Sequence, residues 1–413
     1  MAEKSLIIKN ISKLIGIMDK PYPFKKGEAM AILESIDNAF LFVENGKIFS
    51  FGKMEDCPQN ADRVLDATGC FVLPSWVDSH THIVFPKSRE LEFIDKIKGL
   101  TYEEIAKRGG GIINSARMMN EVSKSELFDT AMQRLDEIIR LGTGAVEIKS
   151  GYGLNFDNEM KMLRVIRKIK ENSPIPIKSN FLGAHALLPE YKSNREKYID
   201  EICERMIPYI SDNGLADYID VFCDVGFFTV DETDKILQKG AKHGLKPKIH
   251  ANELAISGGV QVGVKNNAIS VDHLERISDV EIECLARSNT VPTVLPGTSF
   301  FLKIDYAPGR KMIDSGLGIA VASDYNPGSS PSGNMNFIIS LACIYMGLLP
   351  EEAINAATIN AAHALELQDE AGSISKGKHA NLIITKKLDN IAQVPYYFGS
   401  DLIDRVVIGG ELY

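Results

Sequence analysis

Eight short apolar runs of strand length recur between residues 75 and 328, and this repetition constrains the fold more than any other feature of the sequence. Segments with helical periodicity separate most of the runs, for example 125–142 and 230–244. Strands that alternate with helices form parallel sheets, and eight such units close into a barrel. The pattern therefore predicts an α/β fold of the (β/α)8 TIM-like type. The predicted strands lie within 75–82, 144–151, 177–185, 218–226, 247–253, 268–275, 291–297 and 319–328.

Both ends of the chain have β character instead. Near the start, alternating apolar and polar residues flank Asn45-Gly46, a pair that tolerates positive φ and is typical of a hairpin turn. The last residues repeat this character around Gly409-Gly410. Two β-rich ends predict one small β-sandwich domain formed from both termini beside the barrel. The predicted limits are 1–70 and 366–413 for the sandwich domain, and 71–365 for the barrel.

The net charge and the cysteines limit which binding partners and which cellular location we expect. The chain has 413 residues, of which 45% are hydrophobic, and a net charge of −9. Nucleic acids and anionic membranes are bound by clustered Lys and Arg, so we expect neither as a partner. The six cysteines form no C-x-x-C pair, and the N-terminal segment lacks the apolar core of a signal peptide. These features are typical of a cytoplasmic protein.

Histidines collect where the predicted barrel strands end, at the face on which such barrels carry their active sites. His80 and His82 form an H-T-H motif, and alternate residues of a strand point the same way, so both imidazoles can face one ion. Asp324 follows the eighth strand in the same manner. Because imidazole is a ligand for zinc and iron, the clustering predicts a metal site. The other strand-end histidines are His185, His250 and His273.

An H-x-H motif on strand one, histidines on strands five and six and an aspartate on strand eight resemble the amidohydrolase superfamily. The resemblance implies a metal-dependent hydrolase. Members with two metals bridge them by a carboxylated lysine on strand four, but that strand has no lysine here and Lys149 falls on strand two. We therefore expect one Zn²⁺ or Fe ion per subunit. The implied ligands are His80, His82, His250 and Asp324.

A set of further motifs, in order along most of the chain, resembles the imidazolonepropionase family within that superfamily. This closer resemblance implies hydrolysis of the ring C–N bond of 4-imidazolone-5-propanoate to N-formimidoyl-L-glutamate, a step of histidine degradation. The segment 84–92 departs from the more glycine-rich family version but retains Arg89. The motifs are GGGI (109–112), EIKSGYGL (147–154), FLGAHALLPEY (181–191), HANE (250–253), DHL (272–274), LPGTSFFL (295–302), SDYNPGSSP (323–331) and PYYFG (395–399).

The same resemblance implies a role for each site residue. Arg89 would bind the propionate carboxylate, a task suited to a two-pronged guanidinium. Glu253 would relay a proton to the ring nitrogen, and His273 would act with Asp324 on the attacking water. The implied contacts to the ring are Tyr152, His185 and Glu253, and those to substrate or product are Asn326, Gly328 and Ser329.

Two other functions share part of this pattern. Another mononuclear amidohydrolase, such as a guanine- or cytosine-type deaminase, would keep the metal ligands but would not need Arg89. A barrel that serves as a binding scaffold would not need to retain every ligand. The resemblance also implies a homodimer, and the insert of about 60 residues after His82, which contains the glycines 109–111, is typical of a lid.

Overall fold

The computed structural model describes residues 4–18, 24–100, 104, 108 and 110–413. Part of the predicted lid, including Gly109, lies outside these residues. The strands, in chain order, are β1 (Ser5–Ile15), β2 (Ser35–Glu44), β3 (Lys47–Lys53), β4 (Arg63–Asp66), β5 (Cys70–Pro74), β6 (Trp76–Asp78), β7 (Thr143–Lys149), β8 (Ile177–Ala184), β9 (Tyr218–Cys223), β10 (Lys246–Pro247), β11 (Ile249–Ala251), β12 (Ser270–His273), β13 (Val291–Val294), β14 (Ala320–Val321), β15 (Leu382–Lys387), β16 (Ile403–Ile408) and β17 (Glu411–Leu412).

Helices follow most of the barrel strands and cover the outside of the sheet. They bury apolar stripes, as in the helix Lys124–Arg140, where Leu127, Ala131 and Leu135 recur every four residues on one face. The helices are α1 (Glu90–Ile97), α2 (Ile112–Glu121), α3 (Lys124–Arg140), α4 (Phe156–Asn172), α5 (Arg195–Asp200), α6 (Ile207–Asp212), α7 (Val230–Lys242), α8 (Gly259–Lys265), α9 (Asp279–Ala286), α10 (Pro296–Leu302), α11 (Gly309–Asp314), α12 (Met335–Met346), α13 (Pro350–Ala356), α14 (Ile359–His363) and α15 (Gln393–Tyr396).

Eight parallel strands form the barrel sheet in the order β6-β7-β8-β9-β11-β12-β13-β14. All eight predicted strands are present, each shorter than its apolar run. The barrel closes between its first and last strands through a parallel bridge that pairs Thr81 with Tyr325. Two backbone hydrogen bonds flank it, from Asp324 N–H to the His80 carbonyl at 3.0 Å and from His82 N–H to the Tyr325 carbonyl at 2.9 Å. The seam of the barrel therefore runs through the predicted metal-binding residues.

The two termini share a second sheet, in the order β17-β16-β15-β5-β1-β2-β3, with β4 paired to β1. β5 joins the halves because it pairs in parallel with β1 and antiparallel with β15. The predicted hairpin turn is confirmed, with φ of 51° at Asn45 and 78° at Gly46. The predicted fold class, a barrel with a smaller β domain from both termini, is confirmed. The limits of the two domains stay a prediction.

No membrane-crossing segment is found among the described helices, since none of them combines the necessary length with sufficient apolar character.

Candidate metal centre and active site

His80 and His82 leave the barrel immediately after β6, and their imidazoles converge. Nε2 of His80 lies 3.3 Å from Nε2 of His82. Ligand atoms of His80, His82 and His250 all lie within 4.8 Å of one another, and the three side chains are buried. Burial lowers the pKa of both His80 and His82 well below the usual value, so the imidazoles are neutral. Neutral imidazole is the form that binds a metal.

Asp324 supplies a carboxylate on the open side of the histidine cluster. Its Oδ1 lies 3.5 Å from Nε2 of His80 and 3.5 Å from Nε2 of His82. Its Oδ2 accepts hydrogen bonds from the hydroxyls of Thr298, at 2.6 Å, and Ser329, at 3.3 Å. These bonds fix the carboxylate with one oxygen turned toward the imidazoles.

The donor set fits a metal ion. Nε2 of His250 is fully buried and has no hydrogen-bond partner among the described residues. A buried polar atom without a partner costs free energy unless something else satisfies it, and a cation between the three imidazoles would do so. Three nitrogens and one carboxylate oxygen are a ligand set that zinc and iron accept.

Left-handed backbone conformations mark the strand ends at this site. His273 has φ of 88° and Asp324 has φ of 52°. Such conformations are rare outside glycine and cost of order 1–3 kcal/mol each, so they persist where the surrounding structure holds them for a function. Both residues were predicted from the sequence as catalytic.

Two buried aspartates orient the metal-facing histidines, and the sequence analysis missed both. Asp272 on β12 accepts from Nδ1 of His80 at 2.7 Å, and Asp220 on β9 accepts from Nδ1 of His250 at 2.9 Å. A proton held on Nδ1 leaves the Nε2 lone pair free for a metal. The sequence signal that could have revealed them is a carboxylate inside an apolar strand. Such a group is buried only when it has a partner, and Asp220 and Asp272 are both fully buried.

Two lysines balance these aspartates inside the barrel. Lys149 on β7 donates to Asp220 at 2.8 Å and to Glu147 at 2.8 Å. Lys248 donates to Glu147 at 2.5 Å and to the Ser79 carbonyl at 3.0 Å. Lys149 is thus committed to an internal ion network. That position supports the expectation that it does not bridge two metals.

Glu253 and His273 face each other on the other side of the histidine cluster. Oε2 of Glu253 lies 3.8 Å from Nε2 of His273, and Oε1 of Glu275 lies 3.5 Å from Nδ1 of the same histidine. Burial raises the pKa of Glu253 to about 7 despite the opposing charge of His273. Burial alone would lower the pKa of His273, but the two carboxylates outweigh it and raise that pKa to about 10. Glu253 can therefore hold or pass a proton near neutral pH, while His273 keeps its own.

A cavity of about 560 Å³ adjoins the histidine cluster. Arg89, at the start of α1, reaches this cavity, and its Nε and Nη2 donate to the Ser115 hydroxyl at 3.0 Å and 2.8 Å. His80 lies behind the wall, in contact with His82. All other residues predicted for the site line the cavity: His82, Arg89, Tyr152, His185, His250, Glu253, His273, Asp324, Asn326, Gly328 and Ser329.

The loop after Asp324 is a tight turn held by one side chain. Oδ1 of Asn326 accepts from the backbone N–H groups of Gly328 and Ser329, at 2.7 Å and 2.8 Å. Its amide nitrogen donates to the Asp324 carbonyl at 2.7 Å. A Cβ at position 328 would lie 2.4 Å from Nη1 of Arg89, so the absence of a side chain there makes room for the guanidinium.

Known proteins are similar to this chain in sequence and in architecture. The chain matches the amidohydrolase family over residues 71–413. It is 55% identical over 407 residues to the imidazolonepropionase of Flavobacterium johnsoniae, which covers 98% of this chain and 99% of that protein. The chain belongs to the imidazolonepropionase family of amidohydrolases. The imidazolonepropionase of Geobacillus thermodenitrificans is 40% identical over 415 residues, covering 99% of this chain and 98% of that protein.

Solved structures support the fold assignment at greater distance. An adenosine deaminase from Xanthomonas campestris with bound zinc has a TM-score of 0.73 and 16% sequence identity, and covers 99% of this chain and 92% of that protein. A likeness at this identity concerns the fold alone. Membership of the amidohydrolase family and the cluster of His80, His82 and His250 together indicate a site for a single metal ion.

Proposed function

We propose that this protein hydrolyses the ring C–N bond of 4-imidazolone-5-propanoate to give N-formimidoyl-L-glutamate, a step of histidine degradation. The observation that carries the proposal is the shared cavity: a guanidinium, Arg89, opens into the same space as the metal-facing His82, His250 and Asp324. A substrate with a polar ring at one end and a carboxylate at the other can place its ring at the metal-facing residues and its carboxylate at Arg89. Relatives that are 40–55% identical over nearly the whole chain carry the name imidazolonepropionase.

We assign one Zn²⁺ or Fe ion per subunit to His80, His82, His250 and Asp324. When bound there, the ion lowers the pKa of a water molecule and polarises the ring carbonyl. The chain's own contribution is to present neutral imidazoles, because burial lowers the pKa of His80 and His82. Asp272 and Asp220 keep the Nδ1 protons of His80 and His250 away from the ligand face.

The carboxylate of Glu253 moves the proton that the reaction requires. The water oxygen adds to the ring carbonyl carbon, the bond from that carbon to the ring nitrogen breaks, and the proton released by the water ends on the nitrogen. A pKa of about 7 suits Glu253 to accept a proton and give it back near neutral pH. The resemblance gives His273 and Asp324 the task of deprotonating the water. Because the pKa of His273 is raised to about 10, we assign His273 instead to holding the Glu253 carboxylate, 3.8 Å away, and to adding positive charge beside the reacting carbonyl.

Arg89 binds the propionate, and the remaining cavity residues hold the ring. Tyr152 and His185 form one wall, with ring centroids 5.6 Å apart. The Nδ1 atom of His185 lies 3.0 Å from the Gly151 carbonyl, which fixes the ring and leaves Nε2 for the substrate. We assign contacts with substrate or product to Asn326, Gly328 and Ser329, which line the same cavity.

We also propose that the protein is cytoplasmic and forms a homodimer, as the family resemblance implies. Light scattering of the purified protein after size-exclusion chromatography measures the second point directly. A mass of one chain at micromolar concentration would contradict it.

The decisive experiment is a substrate panel. The purified protein is assayed on imidazolone propionate, guanine and cytosine, before and after treatment with a chelator. We expect ring opening of imidazolone propionate only, loss of activity with the chelator and recovery on adding zinc or iron. Turnover of guanine or cytosine in preference to imidazolone propionate would replace this function with a deaminase activity.

A further inference from the structure

The cavity is lined by a further cation beside Arg89, the ammonium of Lys96. Lys96 lies two turns after Arg89 on α1 and also lines the cavity. Its ammonium donates to the Gly328 carbonyl at 3.1 Å and lies 5.4 Å from the ring centroid of Phe301. These contacts hold the side chain against the cavity wall rather than in open solvent.

No carboxylate neutralises Lys96 at ion-pair distance in the described part of the chain. The nearest candidate on the same helix, Glu92, accepts instead from the Gly111 N–H at 3.0 Å and the Asn114 amide at 3.4 Å. The carbonyl of Gly328 uses one of the three donors of the ammonium. Among the described residues, nothing else occupies the other two donors or pairs with the charge, so both are open to a ligand.

Arg89 and Lys96 meet at Gly328. Nη1 of Arg89 fills the space where a Cβ of residue 328 would lie, while Lys96 binds the carbonyl oxygen of the same residue. The Nε and Nη2 edge of Arg89, one of the two forks of a guanidinium, is occupied by Ser115. With respect to the described residues, this leaves the Nη1 and Nη2 end of Arg89 for a carboxylate. A second cation at Gly328 adds positive charge and hydrogen-bond donors that the edge bound to Ser115 cannot offer.

We propose that Lys96 is a specificity-determining residue that binds the substrate carboxylate together with Arg89. This inference rests on the proposed function, because it concerns the propionate of that substrate. The charges of the cavity support it, because Glu92, Glu253 and Asp324 also line the wall and oppose an anionic ligand. The other lysine of the lining, Lys303, is exposed to solvent. A pair of cations at the propionate end offsets these carboxylates and sets the orientation in which the ring reaches the histidines.

The alternative role is that Lys96 only ties α1 to the loop that contains Gly328. The two roles differ in their dependence on substrate charge. If Lys96 only held α1 to the loop, its loss would weaken activity on all substrates equally. If it binds the carboxylate, its loss weakens only ligands that carry the negative charge.

The test compares Lys96→Met and Lys96→Arg with Lys98→Met, a control at the exposed C-terminal end of the same helix. Steady-state kinetics use imidazolone propionate and its uncharged propanamide. Calorimetry measures binding of imidazole-4-propanoate and of 4-propylimidazole, which does not require turnover. We expect Lys96→Met to lower kcat/KM on the acid about 10-fold, mainly through KM, and to weaken imidazole-4-propanoate binding by a similar factor.

Lys96→Arg should restore most of the loss, and Lys98→Met should behave as wild type. Equal losses on the acid and the amide, or no loss on either, would overturn the inference. Failure of the proposed function is distinguishable, because the wild-type protein would then not open imidazolone propionate at all.

Discussion

Nδ1 of His80 lies 2.7 Å from Oδ2 of Asp272, and both side chains are completely buried. The aspartate holds the Nδ1 proton, which leaves Nε2 as the lone pair that faces His82 and Asp324. Asp272 also accepts a hydrogen bond from the Ser270 hydroxyl at 2.5 Å and forms an ion pair with Lys149 at 3.7 Å, so its position is fixed from within the barrel. A proposed metal ligand just after β6 is thus oriented by a residue on β12.

This contact predicts the effect of Asp272→Asn. The amide has nearly the same shape but no charge, so it stabilises the required tautomer of His80 less well. We expect metal affinity to fall about 10- to 100-fold, the usual effect of removing such a partner. Competition with a chromogenic chelator measures the affinity, and Asp404→Asn on the exposed face of β16 is the control. An unchanged affinity would show that His80 needs no partner.

The number of metal ions follows from the histidine cluster. Elemental analysis of protein purified without added metal should give close to one ion per chain, because His80, His82, His250 and Asp324 form one ligand set. His250→Ala should reduce the content to near zero, while His379→Ala, at a half-exposed histidine of the terminal sheet, should leave it intact. Two ions per chain, or carboxylation of Lys149, would contradict the mononuclear site.

Glu253→Gln should separate proton transfer from metal binding. The amide is nearly isosteric but cannot carry the proton, so we expect full metal content and a loss in kcat on the order of 10²-fold or more. Glu190→Gln, at an exposed position, is the matched control. Near-normal turnover of the Glu253 variant would restrict this residue to substrate binding.

The buried position of Glu253 also predicts a pH dependence. Glu253 accepts a proton only when ionised, and its pKa is raised to about 7. Values of kcat/KM should therefore decline as the pH falls through about 7 and level off above it. Metal content is measured at each pH, because protonation of the imidazoles releases metal. If kcat/KM fell only in proportion to the metal content, the titration of Glu253 would not be the cause of the decline.

Arg89 predicts a dependence on substrate charge. A charge-assisted pair of bonds is worth roughly 1.5–3 kcal/mol, which corresponds to about 10- to 150-fold in kcat/KM. Arg89→Met should show this loss on imidazolone propionate and little change on the propanamide. Arg89→Lys should recover only part, since an ammonium cannot make two parallel bonds. Equal losses on both compounds would mean that Arg89 maintains the fold of α1.

The sequence predicted the barrel and the metal-facing residues for one physical reason. Apolar runs mark parallel strands, and their carboxyl ends must share a face, so His82 and His250 meet although they lie far apart in the chain. Contacts set by side-chain reach across the barrel interior, such as that between His80 and Asp272, follow no periodicity. The position of Ser115 beside Arg89 depends on how the insert after β6 folds back, which local patterns do not encode.

The place of β5 between β1 and β15 has a consequence for synthesis. The first four strands leave the ribosome early, yet the second edge of β5 has no partner until residues beyond 382 have been made. An open strand edge invites pairing with another chain. The nascent protein must therefore protect this edge while the whole barrel is translated, and a chain that stops before β15 should aggregate instead of yielding a smaller active enzyme.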